Sequence, residues 1–411
     1  MILDSKNKEL IVYGINFAPE LTGIGKYTSD MVDWLVENNI KCTVVTSFPY
    51  YPYWQIQKPY KGLFYKKEVS NNGLLTIYRC PMYVPKKASG FKRILHEASF
   101  LISSFFIFIY LLFKPKISNV FCVAPPFHLG LVAIFYKFFK GATITYHVQD
   151  LQIEAAKNLK MIKGKFLLAI FSKMELYIFK NVDEISSISK NMISKLVTQS
   201  NKEVIFFPNW VDNKAFYPLE NPKLSRKNWG FTENDKIVLY SGSIGEKQGL
   251  NQLVELAQFY QSNEKIKFIV ASSGSYSIKL QNEVNELKIK NIYFLPLQSK
   301  EVYNEFLNIA DVHLILQKKN AADLVMPSKL TTLMAIGGLT IIGSEKGTEL
   351  YELISNNKLG ILVEPENLSE LKIEIEKSLY QNYDDLKINA RNFSTNTLDK
   401  EIILNRFINI L

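Results

Sequence analysis

Cysteine is scarce. Of 411 residues only Cys42, Cys80 and Cys122 carry a thiol, each in or beside an apolar run. No pair has metal or redox spacing, which sets aside a zinc knuckle or a dithiol catalyst and predicts buried free thiols in a reducing compartment. No apolar run reaches bilayer length. The most apolar stretch, Phe100 to Phe113, is stopped by Pro115 and falls short of the roughly 18–20 residues a span needs. The first residues are polar and the first apolar run, Leu10 to Tyr13, is short, so no secretory signal is expected. Internal repeats and low-complexity segments are missing too. Acidic residues are in deficit: 39 Asp+Glu against 49 Lys+Arg give a net charge of +10. That balance suits nucleic acid, anionic lipid or a phosphorylated substrate, without choosing among them.

What is present is globular. Hydrophobic residues make up 47% and charged residues 21% of the chain, and its length predicts two domains. Short apolar runs at Leu10–Tyr13, Cys42–Thr46, Leu74–Tyr78, Val120–Ala124, Thr143–Tyr146, Glu184–Ser187 and Glu203–Phe207 read as strands. A helical pattern over Tyr27–Glu37 separates the first two, the unit of a doubly wound parallel sheet. Phe48 to Phe64 is rich in Pro, Tyr and Trp, lacks period and reads as a functional loop or lid. Asp212 to Asn228 is polar, broken by Pro218 and Pro222, and reads as a linker. A second series follows at Ile237–Tyr240, Lys267–Ala271, Ile292–Leu295, Val312–Leu316, Thr340–Ile342 and Gly360–Val363, alternating with helices. The expected architecture is α/β: two Rossmann-like domains, 1–212 and 213–390, facing each other across a cleft, with 391–411 packing back on the first. Ligands of such sheets sit beyond the carboxyl ends of the strands.

Phe100–Phe113 fits two descriptions, a helix buried on the sheet or one lying at a membrane surface. Lys92, Arg93, Lys114 and Lys116 flank it. Lys137 and Lys140 stand beside Phe135, Phe138 and Phe139, and Lys160, Lys163 and Lys165 precede Phe166. Basic residues beside apolar ones suit anionic headgroups.

Ser241-Gly-Ser-Ile-Gly-Glu-Lys-Gln-Gly249 lies between a strand and a helical pattern. Backbone amides at a helix start favour phosphate, glycines allow close approach, and Lys247 adds a point charge. An ordinary strand-to-helix turn fits the same residues.

Four further segments join it: Tyr13-Gly-Ile-Asn-Phe-Ala-Pro-Glu-Leu-Thr-Gly-Ile-Gly-Lys-Tyr-Thr28, Tyr146-His-Val-Gln-Asp-Leu151, Pro208-Asn-Trp-Val-Asp212 and Ala322-Asp-Leu-Val-Met-Pro-Ser-Lys-Leu330. Together, and in this order, they resemble the retaining glycosyltransferases of the GT-B fold, family 4, and more narrowly the bacterial enzymes of colanic-acid and O-antigen assembly. Similarity to N-acetyl-L-fucosamine transferases is the finest level of the resemblance. It implies a UDP-sugar donor and a sugar acceptor on undecaprenyl diphosphate, at the inner face of the cytoplasmic membrane. It implies no metal and no other cofactor; the chain has no DxD triplet. No nucleic-acid module is recognised.

Residue by residue, the resemblance places Gly23 and Gly25 against the donor diphosphate and acceptor, with Glu20 in the same loop as a partner for an acceptor hydroxyl. His147 would orient the transferred sugar and Asp150 would hold His147 or the acceptor. His96 and His128 belong to no motif and read as structural. Asn209 and Asp212 mark the nucleotide side or the hinge, though a turn and helix cap explain them equally well. Gly242, Gly245 and Lys247 match the phosphate loop. Ser243 stands where many relatives carry arginine, so Lys247 and Lys329 must neutralise more of the diphosphate. Pro327, Ser328 and Lys329 form a second turn before a helix over Thr331–Ile336. The usual glutamate pair is replaced: the matching positions are Leu324 and Thr332, with Asp323 one residue off and Glu349 as a substitute for the ribose contact. A nucleotide-sugar epimerase and an inactive UDP-binding scaffold of the same fold are the alternatives.

Overall fold

The computed structural model describes residues 9–20, 23–86, 90–154, 165–242, 244, 249–272, 275–319 and 328–408. The chain divides into two compact units, Met1–Asn209 with Arg406–Leu411, and Trp210–Asn405.

The first unit holds one eight-stranded sheet in the order β3-β4-β2-β1-β5-β6-β7-β8. The strands are β1 (Glu9–Tyr13), β2 (Lys41–Ser47), β3 (Lys66–Ser70), β4 (Leu75–Cys80), β5 (Asn119–Ala124), β6 (Thr143–Val148), β7 (Glu184–Ser187) and β8 (Val204–Phe206). All pairings are parallel except β3 with β4. The central strands are buried on both faces: Ile11, Val12 and Tyr13 in β1 and Cys122 in β5 are closed to solvent. That is why they read as unbroken apolar runs. Strand β3, Lys-Lys-Glu-Val-Ser, shows no such run because it is a polar edge strand.

Three helices position this unit's loops. Helix α1 (Gly23–Glu37) begins at Gly23, four residues before the expected start. Helix α2 (Gly90–Leu112) extends well upstream of the apolar run. Among the described residues it is the one helix long and apolar enough to cross a membrane by length and composition. Its inner face belongs to the core: Phe100 and Phe108 pack their rings on Tyr13, and the Tyr13 and Ser104 hydroxyls share a hydrogen bond at 2.6 Å. Helix α3 (Leu129–Lys140) lies beside α2, with the Phe105 and Phe135 rings 4.8 Å apart. The three cysteines are free and buried, as their setting predicts.

The second unit holds a six-stranded, all-parallel sheet in the order β11-β10-β9-β12-β13-β14. These are β9 (Lys236–Ser241), β10 (Ile266–Ala271), β11 (Ile292–Leu295), β12 (Val312–Ile315), β13 (Thr340–Gly343) and β14 (Ile361–Val363). The stretch expected to be a linker is part of this unit. Asp212 Oδ1 accepts from the amides of Lys214 and Ala215, a side-chain-closed turn. Pro222–Trp229 is a 3-10 helix. The buried Arg226 of that helix pairs with Asp311 at 2.8 Å and donates to the carbonyls of Ile309 and Glu233. A polar composition hid a packed segment because its arginine is buried and hydrogen-bonded within the fold.

Candidate active site

In each sheet the strand order reverses at one place, between β1 and β5 and between β9 and β12. The position beyond the carboxyl ends at such a reversal is the usual ligand crevice in open parallel sheets.

In the first unit Glu20 is buried at 3% exposure. Its Oε1 accepts from the amides of Tyr50 and Tyr51, both at 2.9 Å, and its Oε2 accepts from Asn16 Nδ2 at 2.8 Å. Desolvation raises the affinity of this carboxyl for a proton, while the three donors and Arg79 pull the other way. Glu20 thus ties the Phe48–Phe64 loop to the loop after β1. Its expected acceptor-hydroxyl role has to compete with three protein donors. Gly23 opens α1 with φ +63. A Cβ on Gly25 would lie 3.0 Å from Glu20 Oε2 and 3.2 Å from Glu20 Cβ. Glycine at 25 gives Glu20 its room, since any side chain there would press on it, a packing reason that the sequence reading did not contain.

His147 lies within β6, paired in register with Val123 and Ser186. Its ring stacks on Phe121 at 5.3 Å and meets Phe207 edge-on at 5.2 Å. The Nδ1 atom and the Ser186 hydroxyl share a hydrogen bond at 2.9 Å. Burial pushes the imidazole down to about 3, so it is neutral at physiological pH. Asp150 sits half-buried in the turn after β6, and Asn209 ends the first unit, also half-buried.

In the second unit Gly242 follows β9 with φ +138, where a side chain is strained, and its Cβ would be 3.6 Å from Lys329 Cδ. Ser328 opens the helix Ser328–Ala335. Lys329 Nζ rests 3.6 Å from the centroid of the Tyr240 ring and 3.5 Å from the Leu314 carbonyl. Burial pulls its ammonium down to about 7. Thr332 is buried one turn further along this helix. Glu349 begins the helix Glu349–Asn357, where Thr348 caps by accepting from the Tyr351 amide. The structure therefore brings Gly242 and Lys329 together at the β9–β12 crevice. Ser243, Gly245, Lys247, Asp323 and Pro327 lie outside the described residues. Tyr240, which carries the resting lysine, was missed; its one sequence sign is an aromatic ending an apolar strand.

Sequence reasoning also passed over a cluster above the first sheet. Glu97 receives Gln152 Nε2 on both oxygens at 2.9 and 2.8 Å, and Arg93 Nε at 3.2 Å. Its neighbour His96 is enclosed by Tyr50 and Trp54. The aromatic density of Phe48–Phe64 was the available signal. Among the described residues no group of three His, Cys, Asp or Glu side chains is placed to hold a metal ion.

Comparison with known proteins now decides the family. The profile of Glycosyl transferases group 1 matches residues 222–395. A protein of Escherichia coli that carries the name of a colanic acid biosynthesis glycosyl transferase, WcaI, is 37% identical over 98% of this chain and 99% of its own. This chain belongs to the group 1 glycosyltransferases. Solved structures agree on the fold. Sucrose-phosphate synthase from Thermosynechococcus elongatus matches with TM-score 0.75 at 14% identity, covering 98% of each chain. Anabaena HepE in complex with UDP matches with TM-score 0.69 at 11% identity, covering 98% of this chain and 99% of its own. The group 1 enzyme has the two-domain α/β architecture of the GT-B transferases.

Proposed function

We propose that this glycosyltransferase moves a sugar from a UDP-sugar onto a lipid diphosphate-linked sugar during assembly of a surface polysaccharide, with retention of anomeric configuration. The observation that carries the reading is full-length identity of 37% to a relative named for colanic acid biosynthesis. UDP as the nucleotide is supported by the fold neighbour that holds it. N-acetyl-L-fucosamine is the proposed donor sugar and N-acetylglucosamine the proposed first acceptor, both on the subgroup resemblance. No relative named above is an epimerase.

The hard step is departure of the diphosphate as the anomeric carbon becomes oxocarbenium-like. Charge builds on phosphate oxygens, so fixed cations and amides aimed at them lower the barrier. Lys329, at the crevice beside Gly242, is one such cation, and Lys247 of the same phosphate loop is assigned as the second. The leaving diphosphate receives the acceptor proton. The proposal uses lysines, not a metal ion, against that charge.

A lipid-linked acceptor calls for a bilayer, and the first unit carries a surface suited to one. Outward-facing Phe113 just past the end of α2, Phe138 of α3 and Phe166 of the adjacent helix Lys165–Asn181 are each at least 80% exposed. Phe91, Ile102 and Phe106 add to the face. Lys114 and Lys140 lie at one end, joined where Lys140 Nζ donates to the Lys114 carbonyl at 2.8 Å. Exposed rings insert at the headgroup boundary while basic residues meet anionic lipid. The enzyme is proposed to sit peripherally on the inner face of the cytoplasmic membrane.

The test is a panel of nucleotide sugars with a synthetic alkyl diphosphate N-acetylglucosamine acceptor. Transfer from a UDP-sugar is expected, and Lys247→Ala is expected to lose about 100-fold or more in turnover while keeping its melting temperature. Near-normal turnover in that variant would remove Lys247 from the phosphate site.

A further inference from the structure

We propose that Tyr50, Trp54, His96, Glu97 and His128 form a covered site for one neutral sugar ring of the acceptor, with the Trp54 indole as its cover. This rests on the reading of the chain as a transferase with a saccharide acceptor, and it adds a recognition site to that reading.

The argument begins with a tautomer. His96 Nδ1 lies 2.5 Å from the Tyr83 carbonyl oxygen, which can only accept, so Nδ1 carries the proton. Burial lowers the proton affinity of this ring and keeps it neutral. Nε2 is therefore a bare acceptor. It is buried and, among the described residues, has no hydrogen-bond partner. A buried acceptor left without a donor carries its full desolvation cost, and such groups call for an explanation. A sugar hydroxyl donates what Nε2 lacks.

The surroundings suit the rest of a sugar ring. The Tyr50 and Trp54 rings stand 4.7 and 5.3 Å from the His96 ring and 5.6 Å from each other. Aromatic faces receive the apolar C–H face of a pyranose, while a few fixed polar groups sort its hydroxyls. Glu97 follows His96 in the chain, its carboxylate oriented by Gln152 and Arg93. His128 Nε2 lies 3.4 Å from the Glu97 carbonyl. Glu97 already pairs with Arg93 at 3.2 Å, which leaves this group of side chains no net positive charge for a phosphate, so the occupant is the sugar and not the diphosphate. These side chains come from α2 and from loops following β2, β5 and β6, the carboxyl edge of the sheet.

Trp54 supplies the movement. It holds φ +51, a left-handed conformation that a bulky non-glycine residue rarely adopts, and it is half-buried over His96. Strain of this kind collects at ligand clamps. A sugar entering beneath the indole would relax Trp54 and satisfy Nε2 together. The same helix α2 turns Phe91 and Leu95 outward, so a sugar on a lipid held at that face has a short path to the site.

The experiment uses the full chain, its UDP-sugar donor and alkyl diphosphate N-acetylglucosamine together with its monodeoxy analogues. His96→Phe keeps ring volume and removes the acceptor atom. It is expected to raise the acceptor KM about tenfold with donor KM within about twofold, and to become insensitive to the one deoxy position that costs the parent about tenfold. Trp54→Ala, at a half-buried position, covers the case in which His96→Phe does not fold, and is expected to raise acceptor KM about fivefold with donor KM unchanged. Unchanged acceptor KM in both variants, or a raised KM with the parent's deoxy sensitivity intact, overturns the site while the function stands. No transfer by the parent to any lipid diphosphate sugar overturns the function, and the site with it.

Discussion

At the scale of single residues, Lys329 shows what a motif says and what only packing can say. In the sequence, Pro327-Ser-Lys329 before a helix reads as a phosphate turn. Nothing local indicates that the ammonium rests on the Tyr240 ring, because the partner lies 89 positions away. Glu20 and His147 carry the same lesson. Their motifs are legible, but two backbone amides after β2 claim the first, and Phe121 and Phe207 enclose the second. Lys329 also sets a proton linkage. Its affinity is depressed to about 7 from the ordinary 10.5. Below about 7 the folded and unfolded chains both hold the proton, and the folded chain bears the cost of burying it. Between the two values only the unfolded chain holds it fully, so stability rises with pH across that window. A bound diphosphate reverses this preference by favouring the ammonium. UDP binding at about pH 8 is therefore expected to draw in a proton. Titration calorimetry in phosphate and in Tris would show it as enthalpies that differ with buffer ionisation, a difference that Lys329→Met abolishes. Equal enthalpies in the parent would mean that Lys329 does not change protonation. His313, pushed down to about 3, stays neutral throughout and takes no part.

At the scale of elements, the parallel strands were legible because burial on both faces leaves continuous apolar runs. The elements that escaped are those whose composition serves another purpose: β3, a charged edge, and Pro222–Trp229, polar around one buried arginine. Helix α2 was half-legible. Its apolar core read clearly, but its first ten residues, with Lys92, Arg93 and the His96–Glu97 pair, break the apolar pattern because they line the loop cluster. Its two faces separate fold from the proposed membrane contact. Phe108 is fully buried, with the Tyr13 ring at 4.7 Å and the Tyr136 ring at 5.7 Å. Phe108→Ala is expected to cost about 3–5 kcal/mol. Phe106, 58% exposed on the outer face, should change stability by less than about 0.5 kcal/mol as Phe106→Ser. Together with Phe113→Ser and Phe138→Ser, Phe106→Ser should abolish sedimentation with anionic vesicles. Denaturant unfolding and vesicle sedimentation on the same preparations check both halves. Undiminished binding by the triple variant would place membrane contact elsewhere.

At the scale of the whole molecule, two successive α/β series were legible from the repeating alternation of strand and helix. The sequence reading packs all of 391–411 back on the first domain, but only Arg406–Leu411 belongs to the first unit, and Arg391 is bound to Asn213 and Ala335 of the second. The helix Lys400–Ile408 starts among second-unit residues and ends among first-unit ones. Its beginning is held by second-unit backbone, where the Lys400 amide donates to the Val211 carbonyl at 3.0 Å. Near its end Phe407 is 1% exposed, stacked on Phe207 at 4.7 Å and edge-on to Phe121 at 4.9 Å. Those are the rings that enclose His147. The last helical turn therefore completes an aromatic core built from residues 200 or more positions earlier. Truncating Phe407 opens a cavity in that core, and the loss should fall on the first unit alone, at about 3–5 kcal/mol. Calorimetry should show one of two unfolding transitions moved to lower temperature in Phe407→Ala, and hydrogen exchange should show β5, β6 and β8 losing protection while β9 to β13 keep theirs. If both sheets lose protection equally, the two units unfold as one cooperative body and the assignment of the last turn to the first core has no separate thermodynamic meaning.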